Sequence, residues 1–301
     1  MRILHVDTGR EMRGGQWQVL LLLSGLRSAG EVCTLLAREG SPLFESAVKA
    51  GFAVFSADLG NLLIHSGRAD IAHVHDARAH TLAALAARTR FVVSRRVAFP
   101  VKRSPLSERK YRRASRFLAV SHFVASVLES ANIAKSKIDV VYDGVDPNIT
   151  PGDWSSLGPV VTLASADPAK GRALVAEAAQ IAGLEVTYSD DLIRDLSHAS
   201  MFVYATRTEG LGSAALLAMA MGIPVIASDV GGLKEALGFG EAGLLVENDP
   251  AVIAAAMRRC RENSSLAQTL IEQGKQRVAK HFTAQNMVDR TLDSYRRALA
   301  S

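Results

Sequence analysis

Short apolar runs rich in Val, Ile and Leu recur along this chain, separated by longer stretches whose apolar positions repeat at helical spacing. In the first half, RILHVD (2–7), EVCTLLA (31–37), IAHVH (71–75), FVVSR (91–95), RFLAV (116–120) and IDVVY (138–142) read as strands. Segments 17–30, 42–50, 78–88 and 121–132 read as helices. Strands that are apolar on both faces and alternate with helices predict a parallel sheet covered on both sides. The rhythm breaks at DGVDPNITPGDWSSLGP (143–159), whose Gly, Pro, Asp, Asn and Ser read as an interdomain linker. It then restarts, with strands over 160–164, 184–187, 200–205, 223–228 and 242–246 and helices over 168–182, 190–197 and 213–221. Asp249 as N-cap and Pro250 at the first helical position open a mostly helical tail. The fold class is therefore α/β: two tandem Rossmann-like, doubly wound domains, 1–150 and 151–283, with ligand expected at a central cleft facing the strands' carboxyl ends.

Composition narrows the class of protein. At 301 residues, 48% hydrophobic and 22% charged, the chain can bury two cores and is no disordered tail. A net charge of +5 favours anionic partners such as nucleotides, phosphorylated lipids or a membrane surface. Cys33 and Cys260 form no CxxC or Cys/His spacing, so a reducing compartment is expected rather than a disulfide framework or zinc site. No apolar run approaches the roughly 20 residues of a membrane span, and the reading is a cytosolic protein.

Five segments carry candidate chemistry. In EGLGS (209–213) an acid precedes two glycines that lead into a helix, where amides with partial positive charge can hold a phosphate or a sugar hydroxyl. A rival reading is a dinucleotide fingerprint, Gly210-x-Gly212-x-x-Ala215 with Asp229 at the end of the next strand. Against it, Glu209 would set a negative charge where a pyrophosphate would lie. The N-terminal DTGREMRGGQ (7–16) repeats the logic, with Gly14 and Gly15 expected ahead of a helix that starts near Trp17. In ADPAKGRAL (166–174), Lys170 falls in the first turn of a helix and can reach a phosphate. His73, His75 and His80 cluster at a strand end, with His73 and His75 on one face. They lack an acidic or cysteine partner at ligand spacing, so no metal is assigned and one imidazole near the cleft is the reading. Finally, 94–116 holds nine Lys or Arg against one Glu. That is either a solvated basic surface or an electropositive rim for an anionic acceptor or membrane. Nucleic acid is not expected, because Phe99 and Tyr111 are the tract's two stacking groups and no binding motif accompanies them.

Together these residues resemble the retaining, nucleotide-sugar-dependent glycosyltransferases of the GT-B fold, family 4. EGLGSAALLAMAMGIPVIASDVGGLKEA follows that family's E-G-x-G, small-residue helix, G-x-P-V-I-A-S-D and G-G-x-x-E over almost thirty residues. Weaker matches are the Gly14-Gly15-Gln16 turn, AVSHFV (119–124), VVYDGVD (140–146) and ADPAKG (166–171). The resemblance implies that the closing helix, 284–301, returns to the first domain. It also implies that the donor diphosphate lies between the Gly14-Gly15-Gln16 turn and the second domain, meeting Lys170 and the amides of Gly210, Leu211, Gly212 and Ser213. Glu209 would hold the transferred sugar, and Glu209 and Lys170 would be the catalytic pair. His75, Arg95 and Arg96 fall on the acceptor side. No metal or cofactor is implied beyond the sugar nucleotide; the acceptor is a saccharide or a lipid-linked cell-envelope saccharide, with 95–116 available to an anionic membrane.

The chain departs from the family at defined places. The second acid, eight residues after Glu209, is Leu217, which cannot accept a ribose hydroxyl and was expected to be buried. Ser165 stands where an arginine usually sits five residues before Lys170, and Arg95 or Arg96 where a histidine is common. About seventeen residues separate helix 168–182 from strand 200–205, fewer than the family norm. Glu235 keeps the turn acid and reads as structural. An active glycosyltransferase, a sugar-nucleotide-binding protein that has lost turnover, and an epimerase or dinucleotide enzyme on a similar fold are the three readings these residues leave open.

Overall fold

A computed structural model describes residues 1–101 and 104–300, which fall into two compact units, Met1–Gly144 with the chain from Ala284 onward, and Val145–Thr283. The first unit runs β1 (Arg2–Asp7), α1 (Gly14–Ser28), β2 (Val32–Ala37), α2 (Pro42–Lys49), β3 (Ala53–Ser56), α3 (Leu59–Ser66), β4 (Ile71–Val74) and α4 (Ala77–Ala86). It continues with β5 (Phe91–Arg95), α5 (Pro105–Arg113), β6 (Arg116–Ala119), α6 (His122–Ser130) and β7 (Ile138–Val140). All seven strands are parallel, in the order β3-β2-β1-β4-β5-β6-β7.

The second unit runs β8 (Val160–Leu163), α7 (Arg172–Ala182), β9 (Val186–Ser189), α8 (Leu192–Leu196), β10 (Met201–Tyr204), α9 (Ser213–Ala220) and β11 (Val225–Ser228). It closes with α10 (Leu233–Ala236), β12 (Leu244–Val246), α11 (Pro250–Glu262) and α12 (Ser264–His281). Its five parallel strands lie in the order β12-β11-β10-β8-β9. The last helix, α13 (Ala284–Ala300), belongs to the first unit.

Side-chain caps start most of these helices. Ser41, Asp58, Asp76, Ser104, Ser121, Asp249 and Asn263 each accept a bond from an amide of the following turn. Sequence periodicity missed β3, α3 and α5. β3 is an edge strand with alternating exposure and α5 buries no residue, so neither carries the apolar run by which a core element is read. The helix expected over 168–182 is two pieces: a 3₁₀ turn, Pro168–Lys170, and α7, divided by Gly171 at φ +60. Part of the stretch read as a linker lies along the second unit. Gly152 donates to the carbonyl of Met221, Asp153 to that of Ser197, and the Trp154 indole to that of Ser200.

Helix α13 completes the first unit's core. Val288, Leu292 and Tyr295 join Leu22, Leu23 and Leu26 of α1 in one apolar cluster. At Gly25 the two helices come so close that a Cβ would sit 2.5 Å from a Val288 methyl. Asp139 on β7 accepts from Arg116 of β6 and from Ser294 of α13, with Arg297 of α13 3.1 Å away. This half-buried pairing holds the Asp139 carboxyl below its ordinary range.

Four histidines are buried in this unit. His5, His73 and His75 lie at the ends of β1 and β4, and His80 on α4 sits edge-on to Phe91, Tyr111 and Phe117. Burial lowers all four, pushing His5 and His80 down to about 3, with Arg96 adding to the effect on His5 and Lys110 on His80. In the unfolded chain each ring titrates near ~6.5. Below that pH the unfolded chain binds protons that the folded chain refuses, so stability is lost as pH falls from about 6.5 toward 3, by up to about 1.4 kcal/mol per histidine per pH unit. The urea midpoint should therefore drop clearly between pH 7.5 and 5.5, and His80→Phe should flatten that dependence. A midpoint unchanged over this range would mean that the folded chain protonates these rings.

Candidate functional site

Each unit carries candidate residues at the carboxyl ends of its central strands. In the second unit, β10 ends at Tyr204, and the loop that follows bears Glu209 before α9 begins at Ser213. Two backbone contacts fix this loop. Gly232, in the G-G-x-x-E turn, lies against it so tightly that a Cβ there would stand 1.9 Å from the carbonyl oxygen of Gly210, and its amide donates to the carbonyl of Glu209. On the other side, the amide of Arg207 and the hydroxyl of Thr206 both donate to the carbonyl of Ala169, in the turn that carries Lys170. A polar clamp closes behind it: the Thr206 amide donates to Ser228 Oγ, which donates to Asn248, whose amide returns to the Thr206 carbonyl.

These contacts bring Lys170 Nζ to 2.7 Å from Glu209 Oε2 and 3.2 Å from the Tyr204 hydroxyl. Tyr204 in turn donates to the same Glu209 oxygen. Burial, followed by the Glu209 charge, raises the Tyr204 phenol well above its ordinary range, so it stays a hydrogen-bond donor. The other oxygen, Oε1, accepts from the Gly210 amide, so this amide, expected to face the donor, is engaged by Glu209. The amides of Ser213 and Ala214, the first two of α9, have no partner among the described residues and are available to an anion, while those of Ala215 and Leu216 donate to the Gly212 carbonyl. Gly212 caps α9 at φ +100, a conformation that suits glycine, while Leu211 is buried beside it. Leu217 is half-buried rather than buried. Ser165 Oγ accepts from the Asp167 amide and so shapes the Lys170 turn. Asp229, the acid of the rival dinucleotide reading, pairs with Lys234 at 3.2 Å.

In the first unit α1 begins at Gly14, earlier than expected, so Gly14 and Gly15 form its first turn instead of a loop before it. Asp7, at the end of β1, accepts from the Gly9 amide and the Gln16 side chain; Gln16 Oε1 accepts from the Arg13 amide. Gln16 is thus tied into the turn. Burial, with Asp76 adding to it, raises the Asp7 carboxyl despite these donors. Arg96 reaches this turn: a Cβ on Gly15 would lie 3.9 Å from its Cδ. Its guanidinium pairs with Asp143 at 2.9 Å and meets His75 Nδ1 at 3.4 Å. Arg95 turns elsewhere and donates to the Phe99 carbonyl.

Arg96 also sets the tautomers. Arginine only donates, so His75 Nδ1 accepts and His75 keeps its proton on Nε2, 3.0 Å from His5 Nδ1. His5 then carries its proton on Nε2, which is buried without a partner among the described residues. His73 is held between the Tyr295 hydroxyl at 2.7 Å and Ser94 Oγ at 2.8 Å. The three rings offer nitrogens within 4.8 Å of one another, within reach of one metal ion, yet each ring's lone pair is already engaged in this network. His80 lies apart from them in the aromatic packing of α4. His5 escaped sequence analysis because its pairing with His73 depends on the β1–β4 register, which one chain's periodicity does not reveal.

The basic tract is largely structural. Lys110 donates to the Ala77 carbonyl, Arg113 to those of Ala84 and Ala87, and Arg116 to Asp139; with Arg95 and Arg96, five of the nine cations have internal partners. Arg109 and Arg112 are exposed, as are Phe99 and Leu106, and residues 102 and 103 lie outside the described residues. No helix among the described residues is long and apolar enough to cross a membrane.

Residues 12–149 match the model of Glycosyltransferase Family 4, and residues 138–263 that of Glycosyl transferases group 1. A stretch of 112 residues is 37% identical to D-inositol 3-phosphate glycosyltransferase of Nocardioides sp., covering 37% of this chain and 24% of that protein. Another, of 101 residues, is 31% identical to the capsular polysaccharide biosynthesis glycosyltransferase CapM of Staphylococcus aureus, covering 33% of this chain and 27% of CapM. The matches thus span about a quarter of these relatives' length. The crystal structure of Anabaena HepE in complex with UDP-glucose superposes with a TM-score of 0.84, over 98% of this chain and 100% of that one, at 16% identity. Two glycosyltransferase models in tandem thus match residues 12–263, on a fold shared end to end with that structure.

Proposed function

We propose that the chain transfers a sugar from a nucleotide-sugar donor to a saccharide or lipid-linked saccharide acceptor of the cell envelope, with retention and without a metal. The observation that carries this reading is the Lys170–Glu209 pair, set beside the open amides of α9. Departure of a nucleoside diphosphate builds negative charge, which an ammonium and aligned amides stabilise. Glu209 can accept sugar hydroxyls through the lone pair left on Oε1. HepE was crystallised with UDP-glucose, which supports a UDP-sugar as the donor to test first, and the likeness to CapM supports an envelope saccharide as acceptor. On the acceptor side stand His75, neutral through burial, and Arg96. For peripheral contact with an anionic membrane, exposed Arg109 and Arg112 beside Phe99 and Leu106 are the groups at hand. A second reading, a sugar-nucleotide-binding protein without turnover, is favoured by Ser165 and Leu217.

Calorimetry with UDP-, GDP- and ADP-sugars beside their free diphosphates tests both. Micromolar binding of one sugar nucleotide is expected, and silence across the panel would overturn the donor reading. Lys170→Ala should weaken sugar nucleotide and free diphosphate alike, by about tenfold or more. Glu209→Ala should weaken the sugar nucleotide by about tenfold or more and leave the free diphosphate unchanged. Slow release of free sugar from the bound donor would show turnover; binding with none, in the presence of envelope saccharides, would favour the second reading.

Leu217→Glu restores an acid on the half-exposed face of α9. If ribose lies there, the added hydrogen bonds should outweigh the added negative charge and raise affinity for the free diphosphate, by up to about tenfold. No gain would place the ribose elsewhere.

A further inference from the structure

Tyr204 entered the sequence analysis only as the end of an apolar strand. In the structure it does more than fill space. Met201 and Val203 of β10 join one core cluster, while Phe202 and Tyr204 alternate to the other face, their rings 5.7 Å apart. The Tyr204 ring lies beside the cap of α9: a Cβ on Gly212 would stand in ordinary contact with the ring's Cε1, at 3.5 Å. This places the hydroxyl between the two groups of the ion pair, accepting from Lys170 Nζ at 3.2 Å and donating to Glu209 Oε2.

Counting lone pairs shows the consequence. A carboxylate oxygen has two acceptor positions. Oε2 is filled by Lys170 and Tyr204; Oε1 receives the Gly210 amide and keeps one position open. Lys170 has used two of its three protons, leaving one for a phosphate oxygen. Without the phenol, Oε2 regains an acceptor position and the carboxylate loses the bond that sets its rotation.

We infer that Tyr204 is a positioning residue of the donor site, whose hydroxyl locks Glu209 so that one oxygen alone, Oε1, faces the transferred sugar. The inference rests on the donor reading above and adds a determinant of sugar selectivity to it. A lock of this kind acts on the sugar and not on the nucleotide, since its hydroxyl touches Glu209 and Lys170 and the ammonium keeps its bond to Glu209 when the phenol is gone.

The test is calorimetric, with the full chain and the UDP-sugar that binds it, that sugar's C4 epimer as UDP conjugate, and UDP. Tyr204→Phe removes the hydroxyl and keeps the ring. It should weaken the preferred UDP-sugar about fivefold to twentyfold, leave UDP within twofold, and narrow the preference over the epimer. In a Glu209→Ala background the same change should have no further effect, because the lock has nothing left to hold. A purely structural Tyr204 would give a different pattern: Tyr204→Phe harmless, and Tyr204→Leu damaging to UDP and UDP-sugar equally, with or without Glu209→Ala. That pattern overturns the inference while leaving the donor reading standing. Failure of the wild-type chain to bind any sugar nucleotide overturns the donor reading and this inference with it.

Discussion

The 2.7 Å ion pair between Lys170 and Glu209 joins residues 39 positions apart, and it depends on backbone approaches that leave no room for side chains. Gly171, at φ +60, sets the end of the Lys170 turn against Ala205, where a Cβ would stand 2.7 Å from the Ala205 carbonyl oxygen. Gly232 does the same to Gly210 from the far side of the Glu209 loop. Neither contact involves a charge, yet together they determine the distance between two charges. A partly buried carboxylate needs its lone pairs satisfied to offset desolvation. Lys170, Tyr204 and the Gly210 amide supply that, so the loop's geometry and the placing of the Glu209 carboxylate sustain each other.

Much of the fold could be read in the chain because its central strands are apolar on both faces and its helices begin with Ser, Asp or Asn caps. What escaped reading has definite physical causes. β3 lies at the sheet edge and α5 rests on the surface, so neither shows a buried run. Gly171 inside an apparently continuous helix was legible as a glycine and not as a left-handed break. In the site, Glu209, Lys170 and the glycine turns announced themselves by residue type and spacing. Tyr204 and His5 did not, since an aromatic or imidazole ending an apolar strand looks like core until strand order reveals its neighbours. Basic residues were legible as charge but not as donors: in the fold Arg113 and Lys110 also satisfy carbonyls of α4.

The first unit handles polarity differently. Its buried imidazoles are kept neutral and linked head to tail, so they order the ends of β1 and β4 with little burial of charge. Charge enters at Arg96, and Asp143 compensates it at 2.9 Å. A guanidinium paired on its Nε edge and touching a neutral ring on one Nη retains N–H groups for an outside acceptor. It also packs beside Gly15, in the first turn of α1. An asparagine or lysine at position 96 would lack the fork that makes these contacts together.

One carboxylate where two are usual is a smaller loss than it first looks. In the donor reading proposed above, sugar and ribose need separate acceptors, and a single acid held from three sides can serve the sugar. Leu217 lies a full turn beyond the start of α9, and a leucine in place of an acid there removes a negative charge as well as an acceptor. In a site whose arginine position is Ser165, that deletion spares the remaining cation, Lys170, from competing for a second carboxylate. The two departures therefore offset each other electrostatically. A chain with Leu217 alone would have an excess of positive charge, and one with Ser165 alone an excess of negative; losing both keeps the balance between Lys170 and Glu209 on which the site is built.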